Sequence, residues 1–212
     1  MAPFGTLYTT VNFLHARVTK ILAAANLNNL DIQIAPDLQY GITNHTAAYR
    51  AKFPHGKIPA FETPSGFHLA EGSAIAYYVA ECGPRREQLL GRTPEDRALV
   101  QMYSKEDVEV HETQFVRCLR RLEEQLAGEG KVWLVRDDEL SLADLSVASG
   151  LLWPLKMFMD AEFRAGFPRV MEWWGRLMAV EGVGKAFGAP VKLAGRRPAA
   201  DGSEAEARRG SG

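Results

Sequence analysis

Two cysteines in 212 residues, Cys82 and Cys118, are too few for a disulfide framework, and neither stands at metal-ligand spacing. Charge of one sign is also missing: 25 Lys and Arg face 26 Asp and Glu, a formal net charge of −1. Such a chain has no global field to hold nucleic acid or an anionic membrane, so neither partner is expected. No uninterrupted apolar run approaches a membrane span. The N-terminus has neither an apolar signal core nor a basic targeting segment. Together these absences point to a reducing, cytoplasmic location without a metal centre. What is present is ordinary globular composition, 46% hydrophobic and 24% charged, in a length that suits one large or two small domains.

The chemistry concentrates in Lys57-Ile58-Pro59-Ala60-Phe61-Glu62 and, after a short gap, Glu71-Gly72-Ser73-Ala74-Ile75. A proline among β-branched and aromatic residues cannot donate to a sheet ladder. Pro59 is therefore expected at the start of an edge strand, cis to Ile58, with the Ile58 backbone unpaired and Lys57 exposed at a pocket rim. An acid and two small residues then open the apolar run Ala74 to Val79, which places free N–H groups of a helix N-terminus beside the bend. The combination is a receptor for a small anionic peptide.

Around these motifs the chain alternates. Residues 4–8 and 31–35 read as strands, 16–27 and 46–53 as helices, followed by the Pro59 strand, a turn at Pro64-Ser65-Gly66, a strand at 67–70 and a helix from about Gly72. That order is thioredoxin-like and assigns residues 1–81 to an α/β domain. Gly83-Pro84 and Gly91 among charges mark 82–92 as a linker. Everything from 93 to 191 reads as a second, all-helical domain. Thr93-Pro94-Glu95-Asp96 starts one helix. Ser141 and Asp144 form a capping box that opens an apolar helix through Phe158, expected in the middle of a bundle. Trp153, Trp173 and Trp174 are expected in the core, and 192–212 has the composition of a disordered tail.

This plan resembles the two-domain cytosolic glutathione transferases. More narrowly, Phe4 to Thr9, Phe53 to Glu62, Ala74 to Val79, Leu142-Ala143-Asp144, Leu151 to Trp153 and Phe163 to Pro168 resemble the transferase domain of translation elongation factor 1 gamma, over residues 4 to about 192. The resemblance implies glutathione as co-substrate and a homodimer with each pocket near the subunit boundary. It implies that Ile58, before the cis proline, pairs with the ligand's cysteinyl backbone and that Glu71, Gly72 and Ser73 hold its γ-glutamyl end. Lys57 is a candidate for a ligand carboxylate, and His45 and His55 for the glycyl end; ordinary surface positions are the alternative for all three.

Two departures from the family pattern matter. Gly72 follows Glu71 where a Ser is usual, deleting a hydroxyl bond to the γ-glutamyl carboxylate that would be worth about 1.5–3 kcal/mol; Gly72→Ser is accordingly expected to tighten binding. The short tail suggests a stand-alone relative rather than a translation subunit. A relative of that kind suits a secondary-metabolic pathway as well as detoxification.

Thiolate activation needs a hydrogen-bond donor between the first strand and first helix. Tyr8, Thr9, Thr10, Asn12 and His15 lie there, whereas Phe13 occupies the place, four before Arg17, of the Ser often catalytic in similar transferases. Thr10 and Asn12 rank first and His15 next, against the alternative that they satisfy loop backbone. Tyr103, Asp107, Val110 and His111 fall on one helix face that would line a second-substrate pocket, with Asp107 and His111 as an acid–base pair. Core packing is the competing reading for Tyr103 and Val110, and a solvated pair for the other two. Cys118 reads as a helix packing residue. Three functions follow: a glutathione-dependent transferase or isomerase acting on an electrophilic small molecule, a noncatalytic scaffold of the elongation factor type, and a glutathione-independent enzyme on the same fold.

Overall fold

A computed structural model of the chain describes residues 3–10, 16–104 and 112–195. Strands β1 (Gly5–Tyr8), β2 (Ile32–Ile34), β3 (Ala60–Glu62) and β4 (His68–Ala70) form one sheet in the order β2-β1-β3-β4. β1 is parallel to β2 and antiparallel to β3, which is antiparallel to β4. A parallel pair requires a crossover, and α1 (Ala16–Leu27) supplies it. Strand alternation then divides the chemistry between two faces. Leu7 and its partner Phe61 enter the main core with Ile21 of α1 and Ile75 of α3 (Gly72–Glu81). Tyr8 and its partner Ala60 face the other way, against Tyr49 of α2 (Ala47–Lys52) and Phe53. This is the thioredoxin-like half expected from the sequence.

Two sequence expectations are corrected here. β3 lies between β1 and β4 and is an inner strand rather than an edge. Pro59 is compatible with it because it stands one residue before the ladder, where no N–H is needed. The segment 82–92 is more than a linker: Arg86–Leu90 forms α4, whose charged residues are exposed while Leu89 and Leu90 are buried.

The α2 face carries a polar latch. Glu62 accepts from Lys52 Nζ at 2.8 Å, from the Tyr8 hydroxyl at 2.7 Å and from His68 Nε2 at 3.1 Å. These donors, Lys52 foremost, favour the carboxylate and hold Glu62 down from 4.5 to about 2.

After α4 the described residues are helical: α5 (Pro94–Ser104), α6 (Glu112–Leu126), α7 (Leu142–Met157), α8 (Ala161–Ala165), α9 (Pro168–Ala179) and α10 (Glu181–Phe187). α7 buries Leu142, Leu145, Ala148, Leu151, Leu152 and Leu155 and is the central helix its composition requires. Trp173 and Trp174 of α9 are core residues; Trp153 is only half-buried, with Lys156 Nζ 5.0 Å from its ring centre. Asp144 is fully buried and accepts four hydrogen bonds. Ser141 N and Oγ donate at 2.8 and 2.9 Å, Leu134 N at 3.0 Å and Trp173 Nε1 at 2.8 Å. Burial pushes this carboxyl up, against the pull of its donors.

The two halves share one apolar core. α1 meets α3 on one side and α7 and α10 on the other. Thr19 Oγ1 lies 3.0 Å from Ser149 Oγ of α7, and Asn26 Nδ2 donates to Gly182 O of α10 at 2.8 Å. Among the described residues no helix is long and apolar enough to cross a membrane, and no cluster of potential metal ligands is present.

Asp144→Ala orphans an indole and two backbone N–H groups in the interior, each worth about 1–3 kcal/mol. The expected loss, about 3–5 kcal/mol, exceeds the ~0.5–2 kcal/mol of an isolated cap. Denaturant midpoints will show this, and Asp144→Asn, which keeps one acceptor oxygen, is expected to lose less.

Because Glu62 titrates lower in the folded state, its stabilisation is present above pH 4.5 and is lost as pH falls from there towards about 2. The stability of Glu62→Gln, measured by urea unfolding across that range, is expected to lie below wild type at neutral pH and to converge with it in acid. Parallel curves would show that the latch does not couple to folding.

Candidate functional site

The site begins at the bend before β3. Ile58-Pro59 is cis, Pro59 is buried, and Lys57 is exposed as the sequence predicts. Among the described residues the Ile58 backbone makes no hydrogen bond to protein. Its neighbours are fixed from behind. The Tyr49 hydroxyl donates to Lys57 O at 2.8 Å and Asn44 Nδ2 to Gly56 O at 2.7 Å. Burial pushes Tyr49 up to about 12, so the hydroxyl stays protonated and remains a donor. The Ile58 amide and carbonyl are thus held in place with their own bonding capacity unused.

The N-terminus of α3 closes on this bend. A Cβ added at Gly72 would lie 3.1 Å from Arg17 Cβ, 3.4 Å from Arg17 O and 3.6 Å from Pro59 Cγ. Gly72 therefore lets the starts of α1 and α3 approach each other at the proline. The expectation that Gly72→Ser simply tightens binding is corrected by this crowding: a side chain there must first displace α1. Glu71, the N-cap residue, is exposed and holds φ 71 and ψ 118 without a capping bond from its side chain. A non-glycine residue in that region carries about 1–3 kcal/mol of strain and marks a place to look for function. Ser73, half-buried, accepts at Oγ from Lys20 Nζ at 2.9 Å, and Lys20 itself is buried.

Donors from the end of β1 differ in what they face. Tyr8 is committed to Glu62 on the α2 face. Thr9, on the same face as Leu7 by strand alternation, is 3% exposed and its Oγ1 has no hydrogen-bond partner. One step beyond the Tyr8–Ala60 pair, it stands opposite Pro59. Thr10 is half-buried beside it. Asn12 and His15 lie outside the described residues. Sequence ranking placed Thr9 below Thr10, although the alternation of β1 already assigns Thr9 to the buried face. Lys20, among the apolar Val18, Ile21 and Ala24 of α1, is the second residue that ranking missed; a lysine on an apolar helix face was its signal.

His45 bonds through Nδ1 to Arg50 at 2.7 Å and His55 is exposed, so neither is gathered at the bend by a bond. Tyr103 is half-buried and lines a cavity of about 260 Å³ between α5, α6 and α7, with Phe115, Arg117, Cys118, Arg121 and Val147 among its walls. No residue of the sheet domain lines it, so Tyr103 is not brought to Pro59 through this cavity. Cys118 is exposed on its wall rather than packed away. Asp107, Val110 and His111 lie outside the described residues.

The chain was compared with known proteins. Residues 4–81 match the glutathione S-transferase N-terminal domain, and 84–181 match the glutathione S-transferase C-terminal domain. It is 42% identical to the glutathione S-transferase-like protein LUC7 of a Fusarium species, over 90% of this chain and 95% of that one. It is 32% identical to elongation factor 1-gamma of Rattus norvegicus, over 80% of this chain and 43% of that one. Among solved structures, the GST-like domain of elongation factor 1-gamma from Saccharomyces cerevisiae superposes with a TM-score of 0.72 at 21% identity, covering 92% and 98% of the two chains. A theta-class glutathione S-transferase from Xanthomonas axonopodis pv. citri with glutathione bound gives 0.69 at 20% identity, covering 90% and 100%. With both domain types matched in order, and with the bend and helix start converging as described, the chain belongs to the glutathione S-transferase family.

Proposed function

We propose that the protein is a glutathione-dependent transferase or isomerase that acts on an electrophilic small molecule. The observation that carries this reading is the unused Ile58 backbone at the bend, set beside the α3 N-terminus and held there by Tyr49 and Asn44. An extended peptide supplies what that backbone lacks, through its cysteinyl N–H and C=O. Glu71 offers a carboxylate to the γ-glutamyl ammonium, and the free N–H groups of Gly72 and Ser73 suit the adjacent carboxylate. Lys57 is exposed near the other end of the ligand. The relatives named as transferase-like, and the fold neighbour with bound glutathione, support the assignment.

In the proposed reaction the glutathione thiol gives its proton to solvent, and a hydroxyl near the sulfur stabilises the thiolate. The sulfur electron pair then forms a bond to the electrophilic carbon. A leaving group departs with its pair, or a ring or double bond accepts it and is protonated. Thr10, Asn12 and His15 are the sequence-derived donors; the unpartnered Thr9 hydroxyl is the structural one, since a buried hydroxyl without a bond implies a partner yet to arrive. A homodimer in the cytoplasm, with a role in detoxification or secondary metabolism, completes the proposal. Sedimentation at micromolar concentration tests the dimer, which a species of 23.4 kDa alone would contradict.

Calorimetry with glutathione, followed by turnover with an activated aryl halide and with an α,β-unsaturated ketone, tests the function. Saturable binding and turnover are expected. A protein that binds no glutathione would favour the scaffold or glutathione-independent alternatives. Ultraviolet titration of the bound thiol should show it below that of the free tripeptide, and Thr9→Val is expected to raise it by about one unit if Thr9 is the donor. An unchanged value would return the role to Thr10, Asn12 or His15.

Glu71→Gly should separate stability from binding. Glycine adopts the positive φ freely, relieving about 1 kcal/mol of strain, so thermal stability is expected to hold or rise. Loss of the ammonium's partner is expected to weaken glutathione about ten- to a hundredfold. Unaltered affinity would place the γ-glutamyl end elsewhere.

A further inference from the structure

Lys20 puts a positive charge where the fold already has one. It sits on α1, is 7% exposed, and donates from Nζ to Ser73 Oγ at 2.9 Å. Ser73 is the second residue of α3, so the ammonium lies at the end where that helix concentrates its own positive potential. Burying a cation is costly unless an anion or acceptors match it, and a helix N-terminus opposes it. α3 brings no acid in its first turn, and the Glu71 side chain makes no capping bond there. Two positive sources therefore converge on one point at the protein surface. An independent sign of an absent ligand stands nearby. The Thr9 hydroxyl, buried and unpartnered, lies on the face of β1 that α1 and α3 cover, opposite Pro59, and Pro59 is adjacent to Gly72.

We infer that Lys20 is a specificity-determining residue of this site: its ammonium, with Ser73 and the first N–H groups of α3, selects peptides with a free α-carboxylate at the γ-glutamyl end. The inference rests on the reading that glutathione binds at the bend. Gly72 has no hydroxyl to offer that carboxylate, and the charge from the facing helix takes its place. An ammonium is a point charge, and in a buried setting it is weakly screened, so it favours the carboxylate by direct contact or across Ser73.

The test compares two ligands by calorimetry: glutathione and 4-aminobutanoyl-cysteinylglycine, which keeps the ammonium that would meet Glu71 but lacks the α-carboxylate. Wild type is expected to prefer glutathione about ten- to a hundredfold, the range for a bond between charged groups. Lys20→Met keeps the length of the side chain without its charge. It should reduce the preference below about threefold by weakening glutathione alone, and Lys20→Arg should retain it. A general loss of packing would weaken both ligands together. Should Lys20→Met fail to fold, Lys20→Gln, which still bonds to Ser73, gives the same comparison. A wild type that binds both peptides equally, or a neutral variant with undiminished preference, overturns the inference and leaves the functional reading intact. A wild type that binds neither removes both.

Discussion

The helical half depends on a carboxylate that four donors surround. Asp144 gathers the start of α7, the loop at Leu134 and the indole of Trp173 on α9, three segments distant in sequence. A buried charge of this kind is tolerated only because every donor around it is satisfied by it. Since α7 is the helix around which the other helices pack, the position of its first turn sets the register of the domain. The same helix meets α1 through the Ser149–Thr19 contact, so the order imposed by Asp144 reaches the sheet domain through α7.

α1 is where that order becomes a site. One of its sides packs under the sheet with α3, and another against α7 and α10. Its early residues, Arg17 and Lys20, then face the start of α3 at the point where Gly72 lets the two helices close. The peptide site is therefore not a property of the thioredoxin-like half alone. Its walls are placed by a helix whose other contacts belong to the helical domain.

The two faces of the sheet divide the polar chemistry in a way that decides which groups are available. On the α2 face, Glu62 consumes the donors Tyr8, Lys52 and His68 in a mutually satisfied cluster, and that cluster pins α2. α2 in turn fixes the bend from behind through Tyr49. On the opposite face the Thr9 hydroxyl is left without a bond. Neighbours in the chain, Tyr8 and Thr9, thus have opposite fates, one structural and one open to a ligand, because consecutive strand residues point to opposite sides.

Much of this was legible in the sequence because it follows from local rules. The order of strands and helices came from periodicity and from Pro and Gly punctuation; α1 is the helix expected over 16–27, and the Ser141–Asp144 box is where the cap pattern put it. Pro59, Glu71, Gly72 and Ser73 were visible as a group because a proline bend and a helix start are short-range features. The rest required the tertiary structure, since it depends on which segments meet. Whether β3 is an edge is a matter of strand order, which no local pattern states. That Gly72 serves close approach as well as an open helix end depends on the distance to Arg17, 55 positions away in the chain. That Lys20 is buried against Ser73, and that Thr9 rather than Tyr8 keeps a free hydroxyl, was decided by the packing of α1 and α3 on one face of a sheet and α2 on the other. Local propensity fixes elements and their ends; only packing decides which polar groups satisfy one another and which remain for a ligand.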